Sequence, residues 1–362
     1  MTSPDAPDTP KPTPTPVSAV VLTARGLTPG KYRGLQRVSH AGGTLTVLAL
    51  DQIAAAEHRL RAAFQKAGID RAPTFDEMVA MKVDLARELA PAASGVVLDG
   101  RYGAWPAIAS GAVPPATGVF VRLEMSNGPG HVSGSPRTRI EPGWSVEKIK
   151  MMGCDGAKLL LPFDPFEPRS AEAQLATLER VADECRRFDL LFLLETTFVP
   201  PRGLTATDDA YLDRKPAVAI ETARLLSRYG DLYGAEFPGT LDRDSDDQLM
   251  DNLDALSGAT ERPWLLTSSG ASFDVFIQQA EMAAEAGASG VVGGRALWGE
   301  NEAWQGRDRI AQARAIVHDR ATPWFDRYGL SPEDLAAIRP AEGWHARLWP
   351  PGRPEASGGD GP

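Results

Sequence analysis

"GAKLLLPFDPFEPRSAEAQLATLERVADECRRFDLLFLLETTF", residues 156–198, decides the fold. A short apolar run (156–163) leads into a stretch whose apolar residues recur at three- and four-residue steps (171–188). A second apolar run (190–198) closes the unit. The outer pieces read as buried strands and the middle as an amphipathic helix. Six further runs lie outward from this unit, at 44–51, 94–99, 118–125, 232–239, 263–270 and 288–295. Helical patterns fill the gaps, as at 75–89, 217–230 and 272–287, while "AWPAIASG" between the second and third runs is short. Eight strand–helix units predict a single (β/α)8 TIM barrel rather than an open doubly wound sheet. The barrel is expected over 18–338, between a disordered Pro-rich tail (1–17) and a loose C-terminal tail (339–362).

The bulk composition narrows the function. With 43% apolar and 24% charged residues, the chain has the make-up of a globular protein with a sizeable core. A formal charge of −10 argues against nucleic acid or an anionic membrane as partner. The first residues carry no basic-then-apolar secretory pattern, and two cysteines make no disulfide framework, so a cytoplasmic location is expected. Exterior barrel helices leave a homodimer possible.

In a barrel of this type the C-terminal ends of the strands converge on the active-site face. The runs end there in Asp51, Asp99, Glu124, Glu195, Glu236, Ser268, Ser269 and Arg295. Alternation of side chains places Lys158 of the fourth run on the inner face, with Glu195 and Glu236 from the fifth and sixth. An inward lysine must be paired or functional, because burying an unpaired charge is costly. An amine beside carboxylates suits proton transfer and imine chemistry. A purely structural salt-bridge network is the competing reading.

A second group lies in "LLTSSGAS" and "VVGGRALW". Ser268, Ser269, Gly270, Gly293, Gly294 and Arg295 offer hydroxyls, backbone N–H groups and a guanidinium suited to phosphate, with turn glycines and a surface arginine as the plain alternative. Asp99 and Arg101 are further candidates for substrate contact. Two long segments, 126–143 and 199–216, are expected as lids or substrate-binding loops. The five scattered histidines form no zinc pattern, and no cofactor is expected. Mg²⁺ on Asp51, Asp99 or Glu124 stays open. Neither a GxGxxG fingerprint nor a P-loop occurs.

The ordered set "LALDQ" (48–52), "VLDGRYG" (97–103), "WSVEKIKMMGCDGAKLLLPFD" (144–164), "LFLLE" (191–195), "AEFP" (235–238), "SSGAS" (268–272) and "GVVGGRALW" (290–298) resembles the class I tagatose-1,6-bisphosphate aldolase family, which includes the sulfofructose-phosphate aldolases. The resemblance implies a (β/α)8 barrel that cleaves a ketose phosphate into dihydroxyacetone phosphate and an aldehyde through a lysine imine. It implies active-site roles for Asp51, Lys158 and Glu195, and a phosphate role for Arg295 with the Ser-Gly and Gly-Gly loops. It also implies a Schiff-base lysine two residues before Glu236, where this chain has Gly234. Three readings follow: Lys158 supplies the amine, the chain is an isomerase or lyase of a sugar phosphate that works without an imine and with or without Mg²⁺, or it binds a sugar phosphate without turnover.

Overall fold

The computed structural model of the chain describes residue 22 and residues 25–125, 138–201, 203–299 and 303–336. Eight parallel strands close into a barrel in chain order: β1 Leu45–Ala49, β2 Gly95–Asp99, β3 Gly118–Arg122, β4 Gly156–Pro162, β5 Leu191–Thr197, β6 Leu232–Ala235, β7 Trp264–Thr267 and β8 Gly290–Gly293. Each expected run contains its strand. The strands stop earlier at some C-terminal ends, as at β6, which ends shortly before Pro238, a residue with no N–H for a ladder.

The helices are α1 Pro29–Val38, α2 Ile53–Lys66, α3 Phe75–Leu89, α4 Ala104–Ala109, α5 Val146–Met151 and α6 Pro168–Arg187, then α7 Asp209–Leu212 and α8 Lys215–Leu226. They continue as α9 Asp246–Ala259, α10 Phe273–Glu285, α11 Arg295–Trp298, α12 Ala303–Arg320, α13 Trp324–Arg327 and α14 Pro332–Ala336. Their starts are written locally. Thr74 with Glu77, and Ser245 with Gln248, form capping boxes that satisfy the free N–H groups of α3 and α9.

Period-two alternation divides the core into two layers. Val47, Val97, Phe120, Leu193, Leu232 and Leu265 fill the barrel. Leu48, Leu98, Val121, Leu159, Leu194 and Tyr233 face the helices. The N-terminal end of the barrel is closed by α1 and by Trp324 and Tyr328, around a buried Lys31–Asp231 ion pair at 2.9 Å.

The opposite end carries the loops. Beyond β3 the chain returns through a Glu124–Ile140 antiparallel bridge. Trp144 then lies so close to Gly100 that a Cβ there would stand 2.2 Å from its ring. After β5 the chain folds back, with Phe198 stacked on Tyr211 at 4.7 Å and Arg214 paired to Asp164 at 2.9 Å. The expected tails, and positions 126–137 of the first long loop, lie outside the described residues. Among the described residues no helix is long and apolar enough to cross a membrane.

Candidate active site

Four strands deliver one charge cluster at the C-terminal mouth. Lys158 projects inward from β4, and its Nζ stands 2.8 Å from Glu124 Oε1, 3.1 Å from Asp51 Oδ2 and 3.3 Å from Glu195 Oε2. All four side chains are buried. One ammonium therefore faces three carboxylates. Arg122, one strand away and in register with Lys158, adds a second cation and donates from Nη1 to the Asp51 carbonyl at 2.6 Å.

The cluster sets the protonation of its members. Burial opposes the Lys158 ammonium, but the charges of Asp51, Glu124 and Glu195 reverse this and raise its pKa well above that of a free lysine. Burial likewise pushes the Asp51 carboxyl up, and Lys158, Arg122 and Lys82 overcome it, holding Asp51 below its usual range. Glu195 goes the other way. Burial, reinforced by Asp51 and Glu124 and only partly offset by Lys158, pushes it up to about 7. The site thus holds a firm ammonium, an ionised aspartate and a glutamate that exchanges its proton near neutrality. Asp51 Oδ1 and Glu195 Oε1 are buried and accept no hydrogen bond among the described residues.

Gly234 is accounted for by the same cluster. It lies in register with Glu195, and a Cβ there would stand 2.7 Å from Glu195 Cγ and 3.0 Å from Thr267 Cγ2. The space is taken by Glu195, which leans across the bare β6 backbone toward Lys158.

Glu236 does not join this group. With β6 ending at Ala235, strand alternation no longer governs it. Its carboxylate instead accepts from Thr197 Oγ1 at 2.5 Å and from Phe198 N at 3.0 Å, which ties it to the exit of β5. Asp99 also stands outside this group. Fully buried, it accepts from Arg101 N at 3.0 Å and Tyr102 N at 2.7 Å, and pairs with Lys82 at 3.1 Å. Arg101 is exposed, its guanidinium over the Tyr102 ring at 5.1 Å.

The loops after β7 and β8 do come together. Ser268 Oγ accepts from Gly294 N at 3.1 Å, and Ser269 and Thr267 hydroxyls lie 2.8 Å apart. Ser269 and Gly270 both adopt positive φ, 41° and 84°, which turns the loop sharply. Arg295 opens α11 with an exposed side chain beside Gly270, 3.6 Å from where its Cβ would be. Gly293 leaves no room for a side chain, since a Cβ there would meet Leu297 at 2.3 Å. Gln52, at the exit of β1, approaches within 3.0 Å of a Cβ built at Gly294 and so links the two groups.

The carboxylates do not form a magnesium cage. Both Glu124 oxygens are engaged, by Lys158 and by Leu160 N at 3.0 Å, and Asp99 is closed off. Among the described residues no cluster of His, Cys, Asp and Glu is arranged to hold a metal.

No local sequence pattern marks Gln52, whereas Arg122 and Lys82 each leave a signal. Arg122 stands at an inward position two residues after Phe120, and Lys82 sits on the apolar face of α3 with Met78, Leu85 and Leu89. A charge at a core position is the mark of a paired or functional group.

A buried lysine–carboxylate centre at the strand-exit face of a closed (β/α)8 barrel defines an enzyme of the barrel type. The chain belongs to the DeoC/LacD family of aldolases, whose model matches residues 46–300, and is an aldolase-type lyase. The tagatose 1,6-diphosphate aldolase of Listeria monocytogenes serotype 4a (strain HCC23) is 28% identical over 343 residues, covering 86% of this chain and 98% of that one. The enzyme of the same name from Lactococcus lactis subsp. lactis is 29% identical over 334 residues, covering 83% and 99%. The fold is shared with a fructose-bisphosphate aldolase from Slackia heliotrinireducens DSM 20476, at a TM-score of 0.59 and 19% identity over 91% of this chain and 95% of that one. An archaeal fructose 1,6-bisphosphate aldolase also aligns, at a TM-score of 0.53 and 19% identity, over 83% of this chain and all of that one.

Proposed function

We propose that the protein cleaves a phosphorylated ketose by an aldol mechanism, with Lys158 supplying the amine. The observation that carries this is the placement of Lys158 within 3.3 Å of Asp51, Glu124 and Glu195, while β6 offers only the bare backbone of Gly234. Named relatives that act on tagatose 1,6-diphosphate support the substrate class.

In the cleavage direction the ionised Glu195 takes a proton from Lys158. The free Nζ adds to the substrate carbonyl carbon, Glu195 returns its proton to the former carbonyl oxygen, and loss of water leaves a protonated imine. The bond between the carbons α and β to the imine then breaks, and its electron pair moves into the imine to give an enamine. The hydroxyl on the departing carbon gives its proton to Asp51, and that carbon leaves as an aldehyde. Asp51 gives that proton to the enamine carbon, and water hydrolyses the imine to release the ketone. Glu124 keeps Nζ in place. Ser269, the Gly270 backbone and Arg295 receive the phosphate, with Ser268 bracing Gly294, and Glu236 braces the exit of β5.

One observation favours a second route. The three carboxylates raise the Lys158 pKa, so a permanent ammonium would stabilise an enolate directly, with no imine. Incubation with a ketose bisphosphate or dihydroxyacetone phosphate and borohydride, followed by peptide mass mapping, separates the two. A reduced adduct on Lys158 is expected. Turnover with no adduct at Lys158 would select the enolate route, and tight sugar-phosphate binding without turnover would defeat both.

A further inference from the structure

The exit of β1 is held in an unusual way. Four consecutive carbonyls there each accept from a side chain. Trp298 Nε1 donates to Ala49 O at 2.9 Å, Lys82 Nζ to Leu50 O, Arg122 Nη1 to Asp51 O at 2.6 Å and Lys82 Nζ to Gln52 O at 3.1 Å. The last backbone ladder bond toward β2 runs from Leu50 N to Val97 O at 2.8 Å. Beyond it, two buried cations replace the neighbouring strand.

We propose that Lys82 is a positioning residue of the active site, clamping the carbonyls on either side of Asp51 so that its carboxylate meets Lys158. The proposal rests on the reading of Lys158 and Asp51 as the reacting pair. Lys82 is only 1% exposed, and its partner Asp99 is fully buried. Its ammonium donates to Leu50 O and Gln52 O, and Asp99 Oδ2 stands 3.1 Å away as its counter-charge. A buried ion pair is a poor way to gain stability, since apolar residues of similar volume often do as well. A methionine at 82 would fill the same space, but it would hold neither carbonyl and bring no charge near Asp51. The charged groups facing Asp51 are Lys158, Arg122, Lys82, Glu124 and Glu195. Those facing Lys82 are Asp99, Asp51 and Arg122.

The test compares two paired replacements that each remove one buried lysine–aspartate pair. Lys82→Met with Asp99→Asn removes the clamp, and the amide oxygen of the new side chain still accepts from Arg101 N and Tyr102 N. Lys31→Met with Asp231→Asn removes the pair at the other end of the barrel. For each, kcat and KM on a ketose bisphosphate are measured, and Asp51 is titrated by carbon NMR. The first is expected to lose ~10²-fold in kcat, with KM within about twofold, and to raise the Asp51 midpoint. The second should keep kcat and the Asp51 midpoint. A folded Lys82→Met/Asp99→Asn protein with wild-type kcat and an unchanged Asp51 midpoint would overturn the clamp. Should that protein not fold, Lys82→Gln with Asp99→Asn keeps a neutral hydrogen-bonded pair, and the same Asp51 criterion decides. If the wild-type protein cleaves no ketose phosphate, the proposed function falls, and the Asp51 titration alone rules for or against the clamp.

Discussion

The two ends of the barrel each bury a lysine against carboxylate, and they do it differently. At the closed end Lys31 meets both oxygens of Asp231 at 2.9 Å, Asp231 Oδ2 also accepts from Phe192 N, and Tyr328 bonds its carbonyl. One cation meets one anion, and the hydrogen bonds are satisfied within the protein. At the open end one ammonium meets three carboxylates, and Asp51 Oδ1 and Glu195 Oε1 have no donor among the described residues. Burial is similar; the balance is not. A balanced buried pair ties elements together, while a surplus of anionic charge with free acceptors keeps protons in circulation.

Removing each lysine gives the largest contrast. Lys158→Met should abolish cleavage, by ~10⁴-fold or more, and should destabilise the fold by about 3–5 kcal/mol at neutral pH, because three buried carboxylates lose their cation. Chemical denaturation at pH 7 and pH 5 should show part of that loss recovered at the lower pH as the carboxyls protonate. Lys31→Met should cost a similar ~3–5 kcal/mol and leave kcat in place. Equal losses of activity in the two folded variants would erase the distinction.

Glu195 is the next test. Its carboxyl is pushed up to about 7 from an ordinary 4.5, so between those values the folded chain binds more protons there than the unfolded one. Its contribution to stability is therefore present at low pH and falls as pH rises through that window. Because Glu195 must be ionised to take the Lys158 proton, kcat/KM should rise with pH through about 7. Glu195→Gln should flatten both trends and lose ~10²–10⁴ in rate. A rate profile still rising through the same pH in that variant would assign the limb to another group.

Smaller effects follow from the supports. Gly234→Ala places a Cβ against Glu195 Cγ and Thr267 Cγ2, and should cost about 1–3 kcal/mol and lower kcat ~10-fold by displacing Glu195. Thermal melting and steady-state kinetics read both. Smallest is Glu236→Gln, which can still bond Thr197 and Phe198 and should stay within about fivefold of wild-type kcat. A collapse of kcat in that variant would return Glu236 to the proton-carrying role.

The barrel and the core of the site were legible because two periodicities write them directly. Alternation put Lys158 and Glu195 on the inner face of β4 and β5, where the structure finds them. The same rule failed at Glu236, because a strand's alternation lasts only as long as its ladder, and β6 stops one residue earlier. The pairing of Asp99 with Lys82 was not legible for a different reason. Lys82 comes from a helix and reaches the strand ends along a path that no local pattern records. Glu124 stood out as a carboxylate at a strand edge, but its short contact with Lys158 depends on the return through Ile140, a feature of tertiary structure.

Gly234 and Glu195 have a consequence for how such a site changes over generations or by design. The two positions compete for one volume, so a side chain on β6 and the present glutamate conformation exclude each other. A lysine introduced at 234 alone would displace Glu195 before any new chemistry was gained. Moves between the two arrangements are therefore epistatic, and a library that varies 234 and 195 together will cross where single substitutions stall.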